Sequence, residues 1–177
     1  MRVITGKYKG RHFDIPRTFK ARPTTDFAKE NIFNVLGGYV DFDDATALDL
    51  FAGTGSISLE FLSRGCRLVV SVEADRNHVA FINQCMRTVQ AGESSVVLKT
   101  DVLRFLRSAH QSFNIVFADP PYAMPELPTL PDLILSSGVV ADGGLLIFEH
   151  GGKDDFSDHP HFIEHRSYGS VNFSLFR

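Results

Sequence analysis

The 177-residue chain has no tryptophan, only two cysteines, and no apolar run near the roughly 18 residues that a membrane span needs. No membrane-spanning helix is therefore expected. Cys66 and Cys85 stand apart in no CxxC pair, so they read as reduced core thiols rather than a redox or metal pair. The opening "MRVITGKYKGRHFDIP" lacks an apolar signal core, and the expectation is a cytoplasmic protein with no membrane partner. His159, His161 and His165 sit among acids in "DDFSDHPHFIEH", but their spacing matches no standard zinc pattern and no metal is expected there.

What remains is an ordinary globular composition, 44% hydrophobic and 22% charged with 16 phenylalanines, sufficient for a real core in one domain spanning 1–177. Charge is unevenly placed. Residues 1–29 carry eight basic side chains against two acidic, net +6, while the remainder carries 10 against 19, net −9. A basic arm on an acidic body suits a phosphate-facing surface or, equally, a solvated polar hairpin.

Residues 2–5 and 11–15 alternate around Gly-Lys-Tyr-Lys-Gly and predict a β-hairpin. "RPTTDFAKENIFNVLGG" predicts a helix, entered at Pro23, capped by Thr24, Thr25 or Asp26 and stopped at Gly37-Gly38, with Phe27, Ile32, Val35 and Leu36 on one face. Residues 1–40 thus form a basic hairpin-and-helix extension. From Ala45 strands and helices alternate through "ATALDLF", "LVVSVE", "SVVLK", "NIVFAD" and "GGLLIFEH", the last after a segment broken by Pro125, Pro128 and Pro131. Such alternation predicts an α/β, doubly wound, Rossmann-like sheet with mostly parallel strands. "HFIEHRSYG" and "VNFSLF" have no helix between them and predict a C-terminal antiparallel hairpin.

Gly53 and Gly55 of "DLFAGTGSISLE" permit a tight turn from the first strand into its helix and let a ligand approach the backbone. Ser58 replaces the last glycine of the dinucleotide fingerprint, so the turn alone is weak. Its context strengthens it. Glu73 ends the second strand 20 residues after Gly53, where such folds place an acid for ribose hydroxyls. Asp101 follows the third strand, placed to accept from an adenine amine, and Asp119 ends the fourth. With Asp49 on the first, four acids fall at the carboxyl ends of four consecutive strands, the edge where open α/β sheets bind ligands. In "FADPPYAM" the two prolines donate no amide, leaving the Asp119 carboxylate, the Pro120 and Pro121 carbonyls and the Tyr122 ring: acceptors beside a stacking face, suited to a flat amine.

"DLFAGTG", the acids of "SVEADR" and "KTDV", and "DPPY" resemble, in order and spacing, class I methyltransferases that use S-adenosylmethionine. "GKYKGRHFDIP", "RPTTDFAKENIFNVL" and "RSYGSVNFSLF" extend the resemblance over nearly the whole chain to the RsmD-type family, which methylates guanine N2 in 16S rRNA. The resemblance implies S-adenosylmethionine held by Asp49, Gly53, Gly55, Glu73, Asp101 and Val102, and a catalytic corner of Asp119, Pro120 and Tyr122. It implies 16S rRNA as partner, within a small ribosomal subunit or an assembly intermediate, and a monomeric enzyme. Lys7, Lys9, Arg11 and Arg22 are the candidate phosphate contacts. Two features depart from the family pattern: Lys29 stands where arginine is common, and the loop after Tyr122 is short and proline-rich. An adenine-N6 methyltransferase on DNA or RNA would need the same acceptors, and a noncatalytic RNA-binding assembly factor could keep the fold. Glutamine-modifying relatives usually carry asparagine at the position of Asp119.

Overall fold

The computed structural model describes residues 1–20 and 23–177, so Arg22 lies outside the described residues. After an irregular arm, helix α1 (Asp26–Leu36) leads into strand β1 (Thr46–Leu50), and α2 (Ser56–Ser63), β2 (Leu68–Glu73), α3 (Arg76–Thr88), β3 (Ser95–Lys99), α4 (Val102–Ser108) and β4 (Phe113–Ala118) alternate from there. Helix α5 (Leu130–Ser136) and strands β5 (Val140–His150), β6 (Phe162–Tyr168) and β7 (Val171–Phe176) complete the chain. The strands form one sheet in the order β3-β2-β1-β4-β5-β7-β6, parallel from β3 through β5 and antiparallel at β7 and β6.

β1 is buried at every position, as expected for a central parallel strand covered on both faces. Successive residues point to opposite sides. Ala47, Ile115, Phe117, Leu145 and Ile147 therefore pack with α1, α2 and α3, whereas Leu48, Leu50, Val116, Leu146 and Phe148 pack with α4 and α5. Cys66 and Cys85 belong to the first layer, and burial pushes their thiols up to about 12 and about 11, which leaves them unreactive. β6 closes the sheet with an exposed charged edge, Glu164 to Arg166 at 2.9 Å. Among the described residues no helix is long and apolar enough to cross a membrane.

Three expectations change. The N-terminal hairpin is present but short, centred on one antiparallel bridge between Arg2 and His12. The amides nearer the turn are claimed by α2: buried Glu60 accepts from Ile4 at 2.9 Å and Thr5 at 3.0 Å, and the Ser63 carbonyl accepts from Lys7 at 2.8 Å. Gly6, at φ +89°, lies so close to Ser63 that an added Cβ would meet its carbonyl oxygen at 1.8 Å. The arm is thus tied to a helix as well as to itself, where the Val3 amide donates to the Arg11 carbonyl and the Phe13 amide to the Met1 carbonyl, both at 2.9 Å.

α1 starts as predicted, with Thr25 Oγ1 accepting from Ala28 at 3.2 Å, but its buried face is Ala28, Lys29, Ile32, Phe33 and Leu36. Phe27 is 64% exposed. The proline segment, expected to be broken, contains α5. Pro131 stands in its first turn, where a missing amide costs nothing.

Candidate active site

The carboxyl ends of β1 through β5 open onto one cleft of about 1040 Å³. One half of the cleft begins where β1 ends. Phe51 takes φ +62°, a strained conformation for an aromatic residue, and turns the chain into Gly53 (φ +56°) and Gly55 (φ +78°), the cap of α2. A Cβ on Gly55 would meet Ile82 Cγ1 at 3.0 Å, so only glycine fits this turn against α3 without displacement. The Gly53 amide donates to Glu73 Oε2 at 2.7 Å, and the Asp75 amide to Glu73 Oε1 at 2.9 Å. Glu73 therefore fixes the glycine turn while still facing the cleft.

Asp101 caps α4, accepting from the Arg104 amide at 3.0 Å, and lines the cleft beside Val102. Capping does not take the side chain out of the cleft wall. Asp49 is buried, and Ser58 Oγ lies 2.6 Å from its Oδ2, with the Ser71 hydroxyl a further 2.7 Å away. Burial is the main cause that raises the Asp49 carboxyl to about 7; the Ser58 contacts oppose it and the Glu73 charge adds a little.

The other half of the cleft is the corner after β4. Asp119, Pro120, Pro121 and Tyr122 all line it. The Tyr122 ring is 48% exposed, but its hydroxyl donates to Glu149 Oε1 at 3.0 Å, and the Thr24 hydroxyl donates to Glu149 Oε2 at 3.4 Å. Glu149 was not among the expected site residues. Ala118 pairs with Phe148 in the sheet, and Asp119 and Glu149 each follow that pair. Burial pushes the Asp119 carboxyl well above the usual carboxylate range, and the charges of Glu149 and Asp49 push it further. Glu149 is also raised, chiefly by burial, with the Tyr122 and Thr24 hydroxyls working against the rise.

Of the expected residues, Asp49, Gly53, Glu73, Asp101, Val102, Asp119, Pro120 and Tyr122 line this one cleft. Gly55 acts one step behind it, through the turn. Lys7, Lys9 and Arg11 are exposed but are carried away from it. Lys7 is bonded at the last residue of α2, and Arg11 Nη1 reaches the Thr88 carbonyl at the end of α3, at the opposite edge of the sheet. The arm returns along α3, where Phe19 packs on His78 with ring centroids 4.5 Å apart, and brings Lys20 to the cleft wall. The three histidines expected to bind no metal have other partners: His159 with Asp132 at 2.8 Å, His161 with the Arg177 carbonyl at 3.0 Å, and His165 with Asn172 at 3.0 Å.

The family model described as conserved hypothetical protein 95 matches residues 1–177. Ribosomal RNA small subunit methyltransferase D of Escherichia coli K12 is 35% identical over 149 residues, 84% of this chain and 74% of that one. The chain belongs to the RsmD family. YlbH of Bacillus subtilis, named as a candidate rRNA methyltransferase, is 36% identical over 153 residues, 85% of this chain and 82% of that one. Among solved structures, the candidate methyltransferase yhhF of E. coli superposes with a TM-score of 0.87 at 29% identity, covering 99% of this chain and 96% of that one. The fold is that of class I methyltransferases.

Against that family pattern, Lys29 has a defined place. It is buried, and its Nζ donates to the Arg2 carbonyl and, at 2.9 Å, to Ser56 Oγ at the start of α2, with Glu60 Oε2 3.9 Å away. Desolvation lowers its pKa against the opposing pull of Glu60 and Asp26. A single cation thereby ties α1, the arm and the helix of the glycine turn together, using point-charge contacts that need no guanidinium fork.

Proposed function

We propose that this RsmD-family chain transfers a methyl group from S-adenosylmethionine to the exocyclic N2 amine of a guanine in 16S rRNA. The observation that carries the reading is the division of one cleft into two halves: a glycine turn with ribose- and adenine-directed acids, and a corner that offers a flat amine only acceptors. The donor set fits the cofactor. Glu73 has lone pairs left for ribose hydroxyls, Asp101 would accept from the adenine amine, and Val72, Ala74 and Val102 supply apolar walls for the base. Asp49 lies toward the amino-acid end, and the cofactor supplies an electrophilic methyl on a sulfonium.

The protein's own part is positioning. Asp119 and the Pro120 carbonyl would each accept one N–H of the amine, turning its lone pair toward the methyl group. Tyr122, pinned at its hydroxyl by Glu149, holds its ring as a stacking face for the base. The carboxyl of Asp119 stands where positive charge develops on nitrogen. A target base must leave its stack to enter such a cleft, which favours a loop nucleotide. Lys20 is placed to meet the phosphate beside it, while Lys7, Lys9 and Arg11 would meet flanking RNA from the far end of the arm.

Asp119→Ala tests the corner. It should abolish transfer while S-adenosylmethionine still binds, because the acid lies outside the glycine-turn half. Near-normal turnover in the variant would remove the clamp. Adenine N6 presents the same two N–H bonds and remains the competing acceptor; the identity of the methylated nucleoside separates the two.

A further inference from the structure

Asp119, the residue after β4, and Glu149 of β5 each follow the paired Ala118 and Phe148, and both line the cleft. Neighbouring carboxyl groups shielded from solvent resist double ionisation, and one proton shared between them would let Asp119 donate to Glu149. Every group facing the pair bears on where that proton sits. Tyr122, from the loop after β4, and Thr24, from the segment before α1, each donate a hydroxyl to Glu149. Asp49, from β1, adds negative charge on the Asp119 side. On the remaining flank β7 opposes Glu149 with Phe173, which is apolar. Two donors stabilise the anion on Glu149, so the shared proton belongs to Asp119 in the free protein.

We propose that Glu149 is the terminal acceptor of the proton leaving the methylated amine, receiving it through Asp119. The inference rests on the amine-transfer reading above, and it holds for any flat exocyclic amine. Before reaction, one Asp119 oxygen accepts an amine N–H while its O–H donates to the Glu149 carboxylate. In transfer the carbon–nitrogen bond forms, the carbon–sulfur bond breaks, and the positive charge passes from sulfur to nitrogen. The nitrogen then gives a proton to the accepting Asp119 oxygen as the other Asp119 oxygen gives its proton to Glu149. The products are a neutral thioether, a neutral methylated amine and a protonated Glu149, so charge and protons balance. Glu149 acts through Asp119 and is in that sense a positioning residue; the Tyr122 hydroxyl tunes it.

The test begins with the free protein. An infrared pH titration should show a protonated side-chain carboxyl persisting above the ordinary carboxylate range, and Asp119→Asn should remove it, leaving only the Asp49 signal. Absence of a carboxyl sensitive to that change would overturn the proposal. Next, single-turnover transfer from saturating S-adenosylmethionine to undermethylated small subunits is followed against pH. Wild-type rate should rise with pH as the doubly protonated pair loses the first of its two protons, leaving the single shared proton that the relay uses, and then level off. Glu149→Gln, which keeps the shape but cannot take a proton, should slow transfer by about 100-fold and abolish that rise, with cofactor affinity unchanged. A variant within about threefold of wild type, with the same pH profile, sinks the relay. Tyr122→Phe provides a second route if Glu149→Gln folds poorly. Losing the hydroxyl removes support for the Glu149 anion, so the rising limb should move to higher pH, and an unmoved limb contradicts the proposal. Wild-type protein inactive on every RNA amine would instead sink the transferase reading itself.

Discussion

The backbone amide of Gly53 donates to Glu73 Oε2 at 2.7 Å. The acid at the end of β2 therefore shapes the glycine turn at the end of β1 while it still lines the cleft. Glu73→Ala should lower S-adenosylmethionine affinity by roughly 10- to 100-fold, the range expected for losing hydrogen bonds to a charged group. Calorimetric titration of cofactor into both proteins measures this, and an unchanged affinity would place the ribose elsewhere.

Asp49 gives a pH dependence with a defined sign. Its carboxyl rises from 3.8 to about 7 in the folded protein, mainly through burial. Below 3.8 both folded and unfolded states hold the proton and the group is neutral in its effect. As pH rises from there to about 7 the unfolded chain ionises first, so stability falls across that window and levels off above it. At about 1.4 kcal/mol per unit, the loss reaches on the order of 4 kcal/mol. Asp49→Asn should consequently raise the melting temperature at pH above the window, with the gain shrinking toward acid. It should weaken cofactor binding at the same time. A fixed gain at all pH values would mean that the carboxyl is not the source.

Gly55 sits at φ +78° with Ile82 Cγ1 3.0 Å from where a Cβ would project. Gly55→Ala should cost about 1–2 kcal/mol for the left-handed conformation alone. Adding Ile82→Ala would relieve the crowding but not the backbone strain, so denaturant unfolding of the double variant should recover none of that conformational cost. Full stability in the single variant would show that the turn relaxes freely.

Glu60 is the anchor of the arm. It accepts from the amides of Ile4 and Thr5, from Arg64 Nε at 3.1 Å, and stands 3.9 Å from Lys29 Nζ. Glu60→Ala leaves buried donors and a buried cation without their partner, which should destabilise the protein by about 3–5 kcal/mol. The arm should also become the first site of limited proteolysis. Cleavage elsewhere, with the arm protected, would contradict this anchoring.

Much of the site was legible because it obeys local rules. The parallel strands announce themselves as short apolar runs, and Asp49, Glu73, Asp101 and Asp119 mark their ends. Glu149 obeys the same rule at the end of "IFEH" and could have been found by it, but β5 runs straight on through His150 and no turn motif draws the eye. The shortness of the N-terminal hairpin was illegible for another reason. The alternation in residues 2–5 is real, yet Glu60, more than fifty residues away, competes successfully for the amides. Phe27 misled through periodicity, since Lys29 takes the inward position that an apolar residue would be expected to fill, and only its contacts with Ser56 and Glu60 make that burial tolerable. Pro131 misled as a breaker because a first-turn proline and a helix-ending proline look alike without the fold.

Amine methylation in small-subunit rRNA is tested most directly by transfer of labelled methyl from S-adenosylmethionine to small ribosomal subunits lacking the modification. The RNA is then digested to nucleosides and the labelled product identified. N2-methylguanosine, absent with Asp119→Ala, is the predicted result. Labelled N6-methyladenosine would contradict the assigned base, and no label with cofactor binding intact would contradict the enzyme.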